Sequence, residues 1–302
     1  MVYLIDASVY VFRAWHSLPP DIVDRDGNPT QALYGFARFL SDLIERRQPH
    51  YVAVAFDESH GSCFRHKLYP PYKANREAAP EALKRQFALC REFCRHLGIA
   101  EFASNDYEAD DLIGTLAQRC RADGLRVTVV SRDKDLAQLI APGDVFWDYG
   151  DAAEYRYEQI AARFGVPPER MADYQALRGD SVDNVPGVPG VGPKTAAALM
   201  GLFASLEELF EGLDAVVGLP LRGAAALPQR LRLHREAAYL ARSLTRIVCD
   251  APIDAVMPGI CAAELQRRAP DLERVAAFCD THGFGTALRR QAERLACVTR
   301  AA

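Results

Sequence analysis

VYLID at residues 2–6, YVAVAFD at 51–57 and RVTVV at 126–130 are short apolar runs rich in β-branched and aromatic residues. Each ends in aspartate or is soon followed by it: Asp6, Asp57, and the pair Asp133 and Asp135 within SRDKD. Runs this apolar suit buried parallel strands better than half-exposed ones. Helical patterns at 31–47, 80–97 and 108–122 lie between and around them, so strand and helix alternate and the first half reads as α/β. In an open parallel sheet, ligands bind beyond the carboxyl ends of the strands. That rule gathers scattered acids into one expected pocket. A lone aspartate after a strand is ordinarily a turn former or helix cap, but Asp6, Asp57, Asp133 and Asp135 share one topological position.

After about residue 155 the β runs fade and helical patterns take over, at 158–164, 169–178, 194–203, 205–211 and 230–246, with a Gly, Ala, Leu and Pro-rich loop at 214–228. The expected organisation is an α/β core over 1–155 and a helical part over 156–302.

Composition narrows the function. The chain has 302 residues, 49% of them hydrophobic, enough for a sizeable core. No run of 18 apolar residues occurs and the N-terminus lacks the layout of a signal peptide, so a cytoplasmic protein with no membrane partner is expected. Its eight cysteines form no CxxC pair and stand near no zinc-spaced histidine, which argues against a disulfide framework or a zinc site. A net charge of −4 speaks at first against nucleic acid, but the charges are segregated. Acids fall in tight groups; Arg65, Lys67, Lys73, Arg76, Lys84 and Arg85 form separate basic stretches.

Three acidic groups matter. Glu108, Asp110 and Asp111 open a helix, where the dipole favours acids by roughly 0.3–1 kcal/mol each, yet Glu108 and Asp111 share a face and repel. SRDKD supplies Asp133 and Asp135 in a turn leading to an expected helix, and GDSVDN supplies Asp180 and Asp183. With Asp6 and Asp57 they make nine oxygen donors unaccompanied by His or Cys, a set that suits Mg2+ or Mn2+ better than zinc. One Mg2+ keeps several waters, so nine carboxylates point to two or more ions, the arrangement that activates water and stabilises the leaving oxygen in phosphodiester hydrolysis.

PGVPGVGPKTA, residues 186–196, follows directly. Its glycines allow a tight exposed turn, Pro193 suits the first helical position, and free N–H groups there can hold a phosphate. The plain alternative is a Gly/Pro connection between helices. Only five lysines occur in the chain, and three of them, Lys73, Lys134 and Lys194, stand in or beside these motifs. FRHKLYPPYKANR, residues 64–76, interleaves Arg65, Lys67, Lys73 and Arg76 with Phe64, Tyr69 and Tyr72, as single-stranded nucleic acid recognition requires. An ordinary surface loop is the alternative.

Taken together, LIDASVYVFRAWHS, GNPTQALYGFARFL, AVAFDE, FRHKLYPPYKANR, YEADDLIGTLA, SRDKDLAQLI and LRGDSVDNVPGVPGVGPKTAAAL resemble the 5′-nuclease domain of bacterial DNA polymerase I and the related flap endonucleases, in order and spacing. The resemblance covers about residues 1–250, and more weakly DLERVAAFCDTHGFGTALRRQ. It implies a PIN-like α/β core with a mostly parallel sheet, a helical arch at about 64–88, and a helix-hairpin-helix at about 170–203. It further implies that Asp6, Asp57, Glu108, Asp110 and Asp111 hold a first ion or its waters and Asp133, Asp135, Asp180 and Asp183 a second. Asp6, Asp57 and Asp111 would act with Lys73 and Arg76 in catalysis.

DNA contacts would come from Arg65, Lys67, Tyr72, Lys73 and Arg76, and from Gly187, Gly190, Gly192, Lys194 and Thr195, with K+ at the latter turn. The implied activity is 5′-3′ exonuclease and flap endonuclease hydrolysis of DNA with a 5′ flap, frayed end or nick, by a monomer. Two other readings are a DNA-junction binding protein with decayed catalysis and a ribonuclease acting on RNA primers. Ala7 departs from the family's usual Gly, and its methyl group is expected to crowd the metal pocket.

Overall fold

The computed structural model describes residues 1–58, 63–150, 153–221, 223–253 and 260–299. Six strands, β1 Val2–Asp6, β2 Tyr51–Asp57, β3 Ala100–Ser104, β4 Val127–Val130, β5 Val145–Asp148 and β6 Ala153–Arg156, form one sheet in the order β3-β2-β1-β4-β5-β6. All pairings are parallel except that of β5 with the edge strand β6. The three strands expected from apolar runs occupy its centre. The other three escape the apolar pattern: AEFAS and AEYR mix charges with apolar residues, and VFWD offers only three apolar residues before its aspartate.

Side chains alternate across the sheet. Val2, Leu4, Ala53 and Ala55 enter one apolar core, whereas Ile5, Val52, Val54 and Phe56 enter the other. The second core is covered by α1 Ala7–Ser17, α2 Gln31–Arg47 and, after the short α3 Phe64–Leu68, by α4 Glu81–His96. Helix α2 buries Leu33, Phe36, Ala37, Leu40 and Ile44, the three-and-four spacing of an amphipathic helix. Gly35 lets α2 meet α1 closely, since a Cβ there would stand 2.4 Å from that of Ala14. The first core is covered by α5 Ala109–Ala122 and by part of the helical region.

That region comprises α6 Tyr157–Phe164, α7 Met171–Arg178, α8 Pro193–Leu202, α9 Leu206–Glu211, α10 Leu213–Val216, α11 Leu227–Leu233 and α12 Arg235–Thr245. The helix expected over 230–246 is divided at His234, and the loop expected over 214–228 contains α10 and a 3-10 turn at Ala224–Ala226. The last pair, α13 Leu272–Thr281 and α14 Thr286–Thr299, departs from the expectation of one helical part running to residue 302. Val275, Phe278, Leu288 and Leu295 pack into the second core beside α2 and α4, so the C-terminal helices return to the sheet. Residues 300–302 of that expected part lie outside the described residues. Among the described residues no helix is long and apolar enough to cross a membrane.

Candidate metal centre and nucleic-acid interface

The strand order places β1 between β2 and β4, and the carboxyl ends of these three strands open at one edge. Asp6, closing β1, is buried and accepts a hydrogen bond from the Ser131 hydroxyl at 2.8 Å. Ser131 follows β4 and its oxygen also accepts from the Asp133 N–H at 2.9 Å, so one hydroxyl ties two expected ligands together. Asp57, closing β2, takes the Ala109 N–H at the start of α5 (2.8 Å), while its own N–H donates to the Ser8 hydroxyl (3.1 Å). Asp133 caps a 3-10 helix, Lys134–Leu139, over the stretch where the helix DLAQLI was expected. Asp135, in its first turn, accepts from the Gln175 amide. Ser8, Ser131 and Gln175 escaped the sequence reading; small polar residues beside acids give no distinctive pattern.

Six of the acids, Glu108, Asp110, Asp133, Asp135, Asp180 and Asp183, line one narrow pocket. Asp57 opens onto an adjoining cavity of about 400 Å3, with Lys73, Arg76, Lys84, Phe12 and Phe87 on its walls. The acids divide electrostatically. Burial, and then the charges of its neighbours Asp57 and Asp133, push the Asp6 carboxyl up to about 7. Asp110 is raised well above the ordinary range by burial and by Asp133, Asp6 and Asp57, and Asp135 is pushed up to about 7 by burial and Asp133. Glu108 goes the other way: burial raises it, but Lys73 and Arg65 outweigh burial and hold it low. Asp180 is likewise lowered on balance, Lys134 overcoming its burial.

Basic side chains fill the space between. Lys73 Nζ lies 2.6 Å from Glu108 and 3.8 Å from Asp183, Arg76 pairs with Asp183, and Lys134 Nζ lies 3.1 Å from Asp180. Among the described residues no three Asp, Glu, His or Cys side chains already close around a point as a metal site.

Three of the expected site residues take other partners in the structure. Asp111 is fully buried and turned from the pocket: it grips the Arg65 guanidinium at 2.6 and 2.8 Å and accepts the Val248 N–H at 2.9 Å. Arg65, expected on DNA, is buried too, and its remaining donors reach the carbonyls of Leu244 (2.8 Å) and Arg246 (3.0 Å). The pair therefore pins the end of α12 to the start of α5. Tyr72, also expected on DNA, is buried with its hydroxyl donating to Glu108 at 3.0 Å. Ala7 corrects one expectation. Its methyl group lies in the second apolar core, and the expected crowding of the pocket does not arise.

The segment expected as an arch is helical at its two ends, in α3 and the first turns of α4, and a series of turns between. Lys67 is exposed and pairs with Asp106 at 3.0 Å. The expected helix-hairpin-helix is α7, a turn, and α8. Gly179 and Gly187 stand back to back: a Cβ on Gly187 would come within 2.5 Å of the Arg178 carbonyl, so Gly187 serves close packing. Gly190 takes a left-handed φ of 76° that permits the turn, and open space faces Gly192, the residue before α8. Gly190, Gly192 and Lys194 are exposed and Thr195 is half-buried. Arg230 of α11 lies against Gly190, its guanidinium 2.5 Å from where a Cβ would be, a neighbour that sequence distance concealed.

Residues 1–165 match the family model of the 5′-3′ exonuclease N-terminal, resolvase-like domain, and residues 166–270 that of the 5′-3′ exonuclease C-terminal SAM fold. The chain is 34% identical to a 5′-3′ exonuclease of Aquifex aeolicus, covering 91% of this chain and 89% of that one. It is 38% identical to DNA polymerase I of Rhizobium leguminosarum over 98% of its own length, but spans only 29% of that polymerase. In structure it is similar to a bacteriophage T5 flap endonuclease solved in a pseudo-enzyme-product complex with DNA and metal ions, with a TM-score of 0.64, 18% identity and 98% of each chain covered.

Proposed function

Since the chain belongs to the 5′-3′ exonuclease family, we propose that it hydrolyses DNA phosphodiester bonds near 5′ flap junctions, frayed 5′ ends and nicks. The observation that carries this reading is the meeting of strand-end acids with Asp180 and Asp183 of the helical part, with Lys73 bridging Glu108 and Asp183 at the mouth. The donor set fits hard divalent ions. Its atoms are carboxylate oxygens, and three carboxyls, Asp6, Asp110 and Asp135, are held above their usual range by burial and by neighbouring carboxylates.

Asp6, Asp57, Asp110, Asp133 and Asp135 would hold two or more Mg2+ or Mn2+ ions, with Glu108, Asp180 and Asp183 joining as their own cations turn to substrate. Bound there, the ions supply water activation and charge neutralisation at the leaving oxygen. Lys73 and Arg76 bind the phosphoryl oxygens of the bond to be cut and stabilise charge developing on them. The free N–H groups at the start of α8, with Lys194 beside them, hold the duplex backbone without reading sequence, and K+ at the same turn belongs to this proposal. RNA primers paired to DNA fall within the same substrate range.

A cytoplasmic monomer belongs to the same proposal. A labelled 5′-flap duplex incubated with Mg2+ should release the flap with a 5′-phosphate left on the duplex product. A folded protein that leaves the flap uncut with both Mg2+ and Mn2+ would exclude the proposal, and parallel RNA flaps measure the sugar preference.

A further inference from the structure

Lys73 and Arg76 belong to the segment between α3 and α4, whereas Asp183 belongs to the loop between α7 and α8, and the two segments lie more than a hundred residues apart in sequence. Ion pairs join them, but those pairs are the contacts that a phosphate or a divalent cation must take over. Three further bonds have no such competitor. The Asn184 side-chain amide donates to the Pro71 carbonyl (2.7 Å), the Lys73 N–H donates to the Asp183 carbonyl (2.9 Å), and the Asn75 side-chain amide donates to the Ser181 carbonyl (3.0 Å). Their partners descend in one segment as they ascend in the other, so the segments lie antiparallel and an asparagine closes each end.

Backbone conformation supports a built contact. Lys73 and Asn184 hold left-handed φ values of 53° and 55°, two of only three non-glycine residues among those described to do so. Asparagine tolerates this region; a β-carbon of lysine meets it at a cost. Asn75 and Asn184 are both exposed, so neither is retained to fill a core.

We propose that Asn75 and Asn184 are positioning residues, a pair of amide clasps that keep Lys73 and Arg76 in register with Asp180 and Asp183 once substrate and ions have broken the ion pairs. The inference rests on the nuclease reading above. It assigns the asparagines no contact with the reacting atoms.

The test compares wild type with Asn75→Ala, Asn184→Gly and the double variant; glycine keeps the left-handed backbone and removes only the amide. Single-turnover cleavage of a 5′-flap duplex at saturating DNA and Mg2+ should slow about tenfold in each single variant and further in the double. Affinity for the same flap in Ca2+ should stay within about twofold and Tm within about 2 °C, because exposed side chains are removed. Hydrogen exchange at the Lys73 amide should quicken about tenfold, and Asn75→Gln, which keeps a donor, should recover part of the rate. The proposal is overturned if wild type cleaves and the variants match its maximal rate, if the loss lies only in affinity, or if rate and Tm fall together. Should wild type itself not cleave, the nuclease reading fails, and unchanged exchange at Lys73 would then overturn the clasp independently.

Discussion

The floor of the pocket and its rim are built from the same carboxyl groups and behave in opposite ways. On the floor, Asp6, Asp110 and Asp135 are raised by burial and by neighbouring carboxylates, Asp133 acting on all three, and their acidities are suppressed. At the rim, Glu108 and Asp180 stand against Lys73, Arg65 and Lys134, which outweigh their burial, and remain strong acids. At Glu108 and Asp180 the neighbouring cations outweigh burial, whereas Lys134, 3.4 Å from Asp135, does not offset burial and Asp133 there. The floor needs charge brought from outside, whereas the rim holds cations that it can lend to a phosphate. Asp111 belongs to neither, since Arg65 satisfies it completely and the pair acts as a rivet between α5 and α12.

The comparison is broken most severely by neutralising the floor. Asp110→Asn should lower flap cleavage by about 100- to 1,000-fold or more, yet make the Tm of the metal-free protein fall less as pH rises, because burial and the carboxylates around Asp110 penalise its charged form. An equal fall in the two proteins would mean that the floor is not under electrostatic stress. Breaking the rivet should do the reverse. Asp111→Ala strands a buried guanidinium and should cost about 3–5 kcal/mol in urea unfolding, with cleavage falling only as far as the folded fraction falls. Wild-type stability in that variant would return Asp111 to the list of metal ligands.

pH sharpens the contrast further. A carboxyl whose folded pKa is raised binds its proton more tightly when folded, so stability is undiminished below the unfolded value near 4 and falls as pH rises towards 7, the folded value of Asp6 and Asp135. Divalent ions bind the deprotonated floor. The rise in Tm on adding Mg2+ should therefore grow from pH 5 to pH 8, by about 5 °C at millimolar Mg2+, and a shift independent of pH would contradict the assignment. The smallest effect is expected at Ala7. Ala7→Gly should cost about 0.5–1 kcal/mol without strengthening Mn2+ binding, whereas stronger binding would restore the crowding that the structure rules out.

The central sheet was legible because β1, β2 and β4 are apolar on both faces and each runs into or towards an aspartate, while β3 and β6 mix charges among their apolar residues and so lack that pattern. The site was legible as a set of residue types but not as a geometry. Glu108 and Asp111 look alike in YEADD; Arg65 pairs with both, and it is Lys73 and Tyr72, which reach Glu108, that separate their roles. In the same way FRHKLYPPYKANR reads as one basic arm, although folding sends Arg65 and Tyr72 inward and leaves Arg76 exposed. Burial of a cation against a distant acid leaves no trace in local pattern.

The most direct test of the central claim is a Mn2+ titration followed by electron paramagnetic resonance at pH 8, on wild type and Asp110→Asn. The account predicts two or more ions per wild-type chain and a loss of stoichiometry or affinity in the variant. Equal number and equal affinity in the two proteins would contradict it.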